Sequence, residues 1–325
     1  MARYGITLPL PHISLPEHRS VLEEVASLGY TDVWTGEVAG ADAFTPLVLA
    51  AAWAPAELRL GTAIVPVHTR GPAVIAQTAA ALAELAPGRV VLGIGSSGRA
   101  PVTAMNGIPF DEPYKKTRDV LRYLKQLYET GSVAGEFDTF TIEGFQLARP
   151  VSHPPQVILG ALRPRMLRLG FREGDGAITN FLAATDIPAV VSALGEHRRE
   201  GELVCRIFVY PTRDSDYARH AGRQFLTYLF TRPQYRAFHE WLGRRSLVET
   251  VNKLVDAGDL SGASRAIPDE VVDGIFPHGN PEQIRAAVQA YVDAGVDTPV
   301  LMIQPVPEMA DGLPALRKIV AELAP

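Results

Sequence analysis

The chain reads as an α/β protein, specifically a (β/α)8 TIM barrel with a helical insertion over its C-terminal face. Three observations predict this. Short apolar strands of buried type alternate with helices from end to end, the pattern of a parallel sheet covered by helices. About eight such strands can be counted, each followed by a helix or a longer excursion. The length of 325 residues suits one large barrel or two ordinary domains, and no linker, repeat or low-complexity tract divides it. The expected organisation is one domain over 1–325, with the insertion at about 213–265.

Arg3–Leu8 is the first expected strand, and Glu17–Leu28 the first helix, with Val21, Leu22, Val25 and Leu28 at helical spacing and Gly29 as its stop. Thr31–Thr35 and Thr45–Ala54 follow as strand and helix, the latter ended by Pro55. Leu58–Val65 and Arg89–Ile94 flank a helix over Ala73–Leu85, with Pro72 fitting the first helical position. Pro113–Tyr128 is amphipathic, with Val120, Leu121, Leu124 and Leu127 on one stripe. Gln156–Gly160, Gly176–Thr179, Leu203–Tyr210 and Pro299–Ile303 supply the remaining strands. Ser132–Leu147 interrupts the alternation as a surface hairpin carrying Phe137, Phe140 and Phe145. The 213–265 stretch is too long for a barrel connection and carries Tyr217, Phe225, Tyr228, Phe230, Tyr235, Phe238 and Trp241. It is read as helices over the strand C-termini, the alternative being helices packed on the outside.

Hydrophobic residues make up 47% of the chain and charged residues 21%, with a net charge of −5 and both signs dispersed. No basic stripe marks a nucleic-acid surface. Cys205, the only cysteine, lies in the apolar run Leu203-Val204-Cys205 and reads as a packed small hydrophobe. His12, His18, His153 and His197 are too scattered for a metal site. The N-terminus reads directly as a strand, and no run approaches about 18 apolar residues. The expectation is a cytoplasmic enzyme with no membrane segment and no metal.

The strand expected at Arg89–Ile94 leads into Gly93, Gly95 and Gly98, a literal G-x-G-x-x-G. A dinucleotide fingerprint needs a chain-initial strand, a helix opening at the third glycine and an acid about 20 residues on. Here the strand is the fourth, and Arg99-Ala100-Pro101 is not expected to open a helix, so that reading is set aside. Instead Gly93 and Gly95 let a ligand lie against the strand end, where Ser96, Ser97 and Gly98 offer hydroxyls and amides. Neither serine has a nearby partner resembling a nucleophile–base pair, so hydrolysis is unsupported.

The run P-V-H-T-R-G-P-A-V-I-A-Q at 66–77, followed by L-A-E-L-A-P-G-R-V-V-L-G-I-G at 82–95, resembles the bacterial-luciferase-like superfamily of flavin and deazaflavin enzymes. The similarity is greatest to its coenzyme F420-dependent branch. It extends from Tyr4-Gly5-Ile6 through Val33-Trp34-Thr35-Gly36-Glu37 to Leu159-Gly160-Ala161 and Gly174-Asp175-Gly176, about two-thirds of the chain. The resemblance implies a TIM barrel that moves hydride between F420 and a small organic substrate. It also implies a non-prolyl cis peptide at Ala63-Ile64, against which the deazaflavin ring rests. The cofactor phosphate is expected at Gly160-Ala161-Leu162-Arg163, where a turn enters a helix over Arg165–Glu173 and free amides and the helix dipole attract an anion. Arg163 and Arg165 would add charge-assisted bonds.

Glu37 and His68 are the candidate catalytic residues. Relatives carry an acid followed by a histidine at the first position, whereas this chain has Glu37-Val38, which puts sugar-phosphate oxidation in doubt. Three roles are open to Glu37: binding the deazaflavin edge, donating a proton, or capping the next turn. His68 would approach cofactor or substrate, or be structural; Arg70 is a positioning residue. Asn180 and Gln304, at other strand ends, would contact ring or substrate. The rivals are a reduced-FMN-dependent monooxygenase on the same fold and a non-catalytic flavin-binding barrel. The aromatic insertion points to an apolar or aromatic small-molecule substrate, and family relatives imply a homodimer.

Overall fold

Parallel strands close on themselves in the computed structural model, which describes residues 3–199 and 201–325. They are β1 (Gly5–Leu8), β2 (Asp32–Thr35), β3 (Arg59–Thr62), β4 (Val90–Gly95), β5 (Gln156–Gly160), β6 (Gly176–Asn180), β7 (Glu202–Val209) and β8 (Thr298–Ile303). The order around the ring is β3-β2-β1-β8-β7-β6-β5-β4, and β3 pairs with β4 through Leu60–Val90 and Gly61–Val91 to close it. Closure leaves no unpaired sheet edge. The strand expected over Leu58–Val65 is broken: after β3 the chain turns at Ala63-Ile64, whose peptide bond is cis. It then resumes as Val65–Pro66 beside Ile94 and Gly95.

Side chains alternate between two environments, as strand geometry requires. Trp34, Ala63, Val91, Ile158, Ile178, Val204 and Val300 pack together inside the barrel. Ile6, Val33, Leu60, Leu92, Leu159, Leu203, Cys205 and Leu301 belong to the larger core under the helices. Trp34 fills the lumen, and its neighbours are small for that reason. A Cβ on Gly61 would lie 2.3 Å from the Trp34 ring, and one on Gly5 2.9 Å from it. Below it, the N-terminal end of the barrel is plugged by charge. Arg59 bonds Asp32, reaches both Glu202 oxygens at 2.6 and 2.7 Å, and meets Thr298 Oγ1 at 3.3 Å. Burial would raise the Glu202 pKa, but the bonds and charge of Arg59 hold it below the usual carboxylate value.

Six helices follow the first six strands: α1 (His18–Glu24), α2 (Thr45–Trp53), α3 (Pro72–Leu85), α4 (Pro113–Thr130), α5 (Pro164–Glu173) and α6 (Ile187–Leu194). Between α4 and β5, Ser132–Glu136 and Thr141–Gln146 form the expected antiparallel hairpin. After β7 come α7 (Ser215–Phe230), α8 (Pro233–His239), α9 (Arg245–Asp256), α10 (Leu260–Arg265) and α11 (Asp269–Ile275). They pack chiefly on one another and run past the expected boundary at 265. Then α12 (Pro281–Asp293) precedes β8, and α13 (Leu313–Glu322) ends the fold. The insertion meets the strand C-termini through α8. A Cβ on Gly98 would lie 2.7 Å from Gln234 Nε2, and the Tyr235 ring stands edge-on to Phe181 at 5.4 Å. Among the described residues no helix is long and apolar enough to cross a membrane.

Candidate active site

The C-terminal ends of the strands form a mouth whose floor is made by the absence of side chains. Ile64, half-buried, leans from the β3 break onto the interior cluster. A Cβ on Gly95 would lie 3.1 Å from its side chain, and one on Gly160 2.9 Å from it. A Cβ on Gly93 would sit 1.9 Å from the Thr62 carbonyl oxygen. Two glycines on adjacent strands, Gly95 and Gly160, therefore let one isoleucine lie across the barrel end, while Gly93 makes room for the backbone before it. Two cavities, of 330 and 530 Å3, open at the opposite end, the first beside Arg3, Tyr4 and Arg285, the second beside Arg198, Glu202 and Asp297. They lie around the charged plug, whereas barrels of this architecture place their chemistry at the strand C-termini.

Around the floor, Glu37 closes the end of β2. Arg70 Nε donates to its two oxygens at 3.0 and 3.1 Å, Arg70 Nη2 donates at 2.8 Å, and the Ala43 amide donates at 3.2 Å. A carboxylate gripped on both oxygens by a guanidinium accepts these bonds, and it fixes the loop after β3 to the loop after β2. The bonds to Glu37 raise the Arg70 pKa. His68 lies farther along the same loop, its ring 4.9 Å from that of Phe110. Its Nε2 is 3.2 Å from the Asp111 carbonyl oxygen; its Nδ1 is buried without a hydrogen-bond partner, beside the Ser96 backbone. Burial lowers its pKa.

Ser96, Ser97 and Gly98 follow β4, with Ser97 left-handed at φ 59°. The chain then makes a π-helical turn over Ala100–Ala104, where no helix was expected. Pro101 fits because the first turn of a helix needs no amide from it. The turn is a single wide one, and Glu112 stands at the N-cap position of α4, its carboxylate paired with Lys115.

At the end of β5 the expected anion corner is present but smaller. The Ala161 amide donates to the Ile178 carbonyl at 2.9 Å, so Ala161 is spent on the sheet ladder and is not a free donor as expected. The amides of Leu162, Arg163 and Arg165 make no hydrogen bond among the described residues, and α5 begins at Pro164 with Arg163 as its cap. Arg163 is exposed, while Arg165 is turned aside, its guanidinium 3.7 Å from the Tyr114 ring centroid.

On the far side of the mouth stand Asn180, the last residue of β6, and Gln304, whose Nε2 donates to the Met302 carbonyl at 3.3 Å. Phe181, left-handed at φ 55°, stacks on Phe208 at 4.1 Å and on Phe225 at 5.2 Å. Sequence reasoning missed Arg206, on β7. It faces inward by alternation with Val204, and its Nη1 would lie 2.8 Å from a Cβ on Gly36. The guanidinium thus crosses the lumen from β7 to β2. Its Nε is buried without a partner, and burial lowers its pKa, offset in part by Tyr235. The signal was there to read: a single arginine inside the apolar run Leu203–Val209.

Comparison with known proteins fits this architecture. The family model described as luciferase-like monooxygenase matches residues 3–298. The chain is 26% identical over 251 residues to a 5,10-methylenetetrahydromethanopterin reductase of Archaeoglobus fulgidus, covering 74% of this chain and 75% of that one. It is 27% identical over 250 residues to an F420-dependent glucose-6-phosphate dehydrogenase of Kineococcus radiotolerans, covering 73% and 70%. Among solved structures, the coenzyme F420-dependent tetrahydromethanopterin reductase from Methanopyrus kandleri superposes with a TM-score of 0.77 at 20% identity, over 99% of this chain and 97% of that one.

Proposed function

The chain belongs to the luciferase-like monooxygenase family, and we propose that within it the protein is an F420-dependent oxidoreductase acting on a small organic substrate. The observation that carries this reading is the floor: Ile64 laid flat across Gly95 and Gly160 is a platform for a planar ring system. The F420-dependent relative supplies the choice among planar cofactors. The residues fit such a group at both of its ends. Ala63 and Ile64 back the ring, Ser96, Ser97 and Gly98 border it, and Asn180 flanks it. The unused amides of Leu162 and Arg163, beyond Gly160 and Ala161, lie at a helix N-terminus where a phosphate binds.

When bound, the deazaflavin supplies hydride chemistry at C5. The chain supplies placement. The Glu37–Arg70 fork ties together the loops after β2 and β3, so the platform and its rim hold one geometry. Helix α8 and the Phe181–Phe208 stack wall the mouth on one side. His68 Nε2 donates to the Asp111 carbonyl, so Nδ1, beside the Ser96 backbone, is the lone-pair nitrogen placed to accept a proton.

The family description keeps an FMN-dependent monooxygenase as the second reading. Titrating the purified protein separately with F420 and FMN tests the choice. The proposal expects tight F420 binding and no FMN binding; oxygen uptake dependent on reduced FMN would overturn it.

A further inference from the structure

We propose that the substrate held in this mouth is a conjugated or aromatic carboxylate, with Arg206 as the residue that binds its anionic group. As an assignment of substrate, the inference rests on the reading of the mouth as the reaction site.

Arg206 extends across the lumen until Nη1 meets the Cα side of Gly36, and Gly36 is a glycine where a Cβ would block it. Among the described residues no carboxylate pairs with Arg206, and its Nε is orphaned. Arg59, two layers below on the same axis, has Asp32 and Glu202 as partners. A guanidinium enclosed without an anion is costly, and an arriving anion relieves that cost. The neighbours describe the rest of the ligand. Phe208 lies 5.4 Å from the guanidinium and carries Phe181 stacked at 4.1 Å; the Tyr235 phenol and Asn180 face the same space. One cation set against aromatic walls fits a planar body ending in a carboxylate, since a guanidinium matches a carboxylate fork to fork.

The same chemistry could come from an anionic edge of the reduced cofactor ring, and the experiment separates the two. Cofactor-free protein is titrated calorimetrically with benzoate and with benzamide, its neutral isostere, for the wild type, Arg206→Lys and Arg206→Met; F420 affinity is measured in parallel. The proposal expects benzoate to bind at least about tenfold tighter than benzamide. Arg206→Met should abolish that preference and Arg206→Lys should keep part of it. F420 affinity should hold within about twofold, and the Tm of Arg206→Met should be no lower than wild type, because an unpaired buried charge has been removed. Equal binding of benzoate and benzamide, or none of either, overturns the proposal. So does a tenfold loss of F420 affinity in Arg206→Met with benzoate binding unchanged, which gives the guanidinium to the cofactor. A protein that binds benzoate but not F420 refutes the cofactor reading and leaves the carboxylate site standing.

Discussion

His239, on α8, lies fully buried with its ring 4.8 Å from that of Phe230 and 5.4 Å from that of Phe238. Neither ring nitrogen has a hydrogen-bond partner. Burial, with the charge of Arg244 adding to it, pushes its pKa down to about 3. The unfolded chain, with an ordinary histidine, takes up a proton that the folded chain refuses. The titration of His239 therefore costs nothing above about pH 6.5 and withdraws stability as pH falls from there through about 3, with a limiting slope of ~1.4 kcal/mol per pH unit. Urea unfolding of wild type and His239→Leu at a series of pH values should show the two curves converging in slope at neutral pH. Below it the wild type should lose stability faster. Parallel curves down to pH 4 would refute this account.

At the scale of the elements, glycines divide into those that build strands and those that make room for side chains. A Cβ on Gly93 strikes a backbone oxygen that cannot move without breaking the β3–β4 join. Gly93→Ala should cost at least about 2–3 kcal/mol, seen as a large drop in Tm. A Cβ on Gly98 meets only the tip of Gln234. Gly98→Ala should fold with a Tm within a few degrees of wild type, and Gln234→Ala should remove whatever difference remains; equal damage at both glycines would contradict the geometry. The strands were legible in the sequence because each is an apolar run bounded by glycine or proline. The floor was partly legible, since a glycine pair at a strand end announces close approach. What sequence could not give was contact between distant elements: the grip of Arg70 on Glu37, the capture of the Ala161 amide by Ile178, and the reach of Arg206 to Gly36. Each depends on which strands become neighbours when the ring closes. Arg206 was overlooked because a charged residue in a buried strand has no address until the inside of the barrel is defined.

The whole molecule has two chemically different ends. At the bottom, Arg59 ties β2, β7 and β8 through Asp32, Glu202 and Thr298; at the top, Arg206 Nε has no hydrogen-bond partner and no carboxylate pairs with the guanidinium among the described residues. Truncating the two arginines should have opposite effects. Arg59→Met takes the guanidinium from buried Asp32 and partly buried Glu202 and should cost about 3 kcal/mol, read as a lower urea midpoint. Glu202 has its pKa depressed in the fold, so the stability it contributes is present above its unfolded pKa. That contribution is lost as pH falls through the folded value, so the deficit of Arg59→Met should shrink in acid. A midpoint unchanged at neutral pH would show that the plug is ornamental.

The insertion has its own consequence. Its helices pack chiefly on one another and join the barrel rim through Gln234 at Gly98, Tyr235 and Phe225 at Phe181, and the Arg244–Asp186 ion pair. The charged plug at the far end of the strands uses no residue of the cover, so the cover can change in sequence provided its rim contacts are kept. Such a part is exchangeable: residues 215–275 could be traded between related barrels as a cassette, carrying selectivity from one host to another and leaving folding to the host.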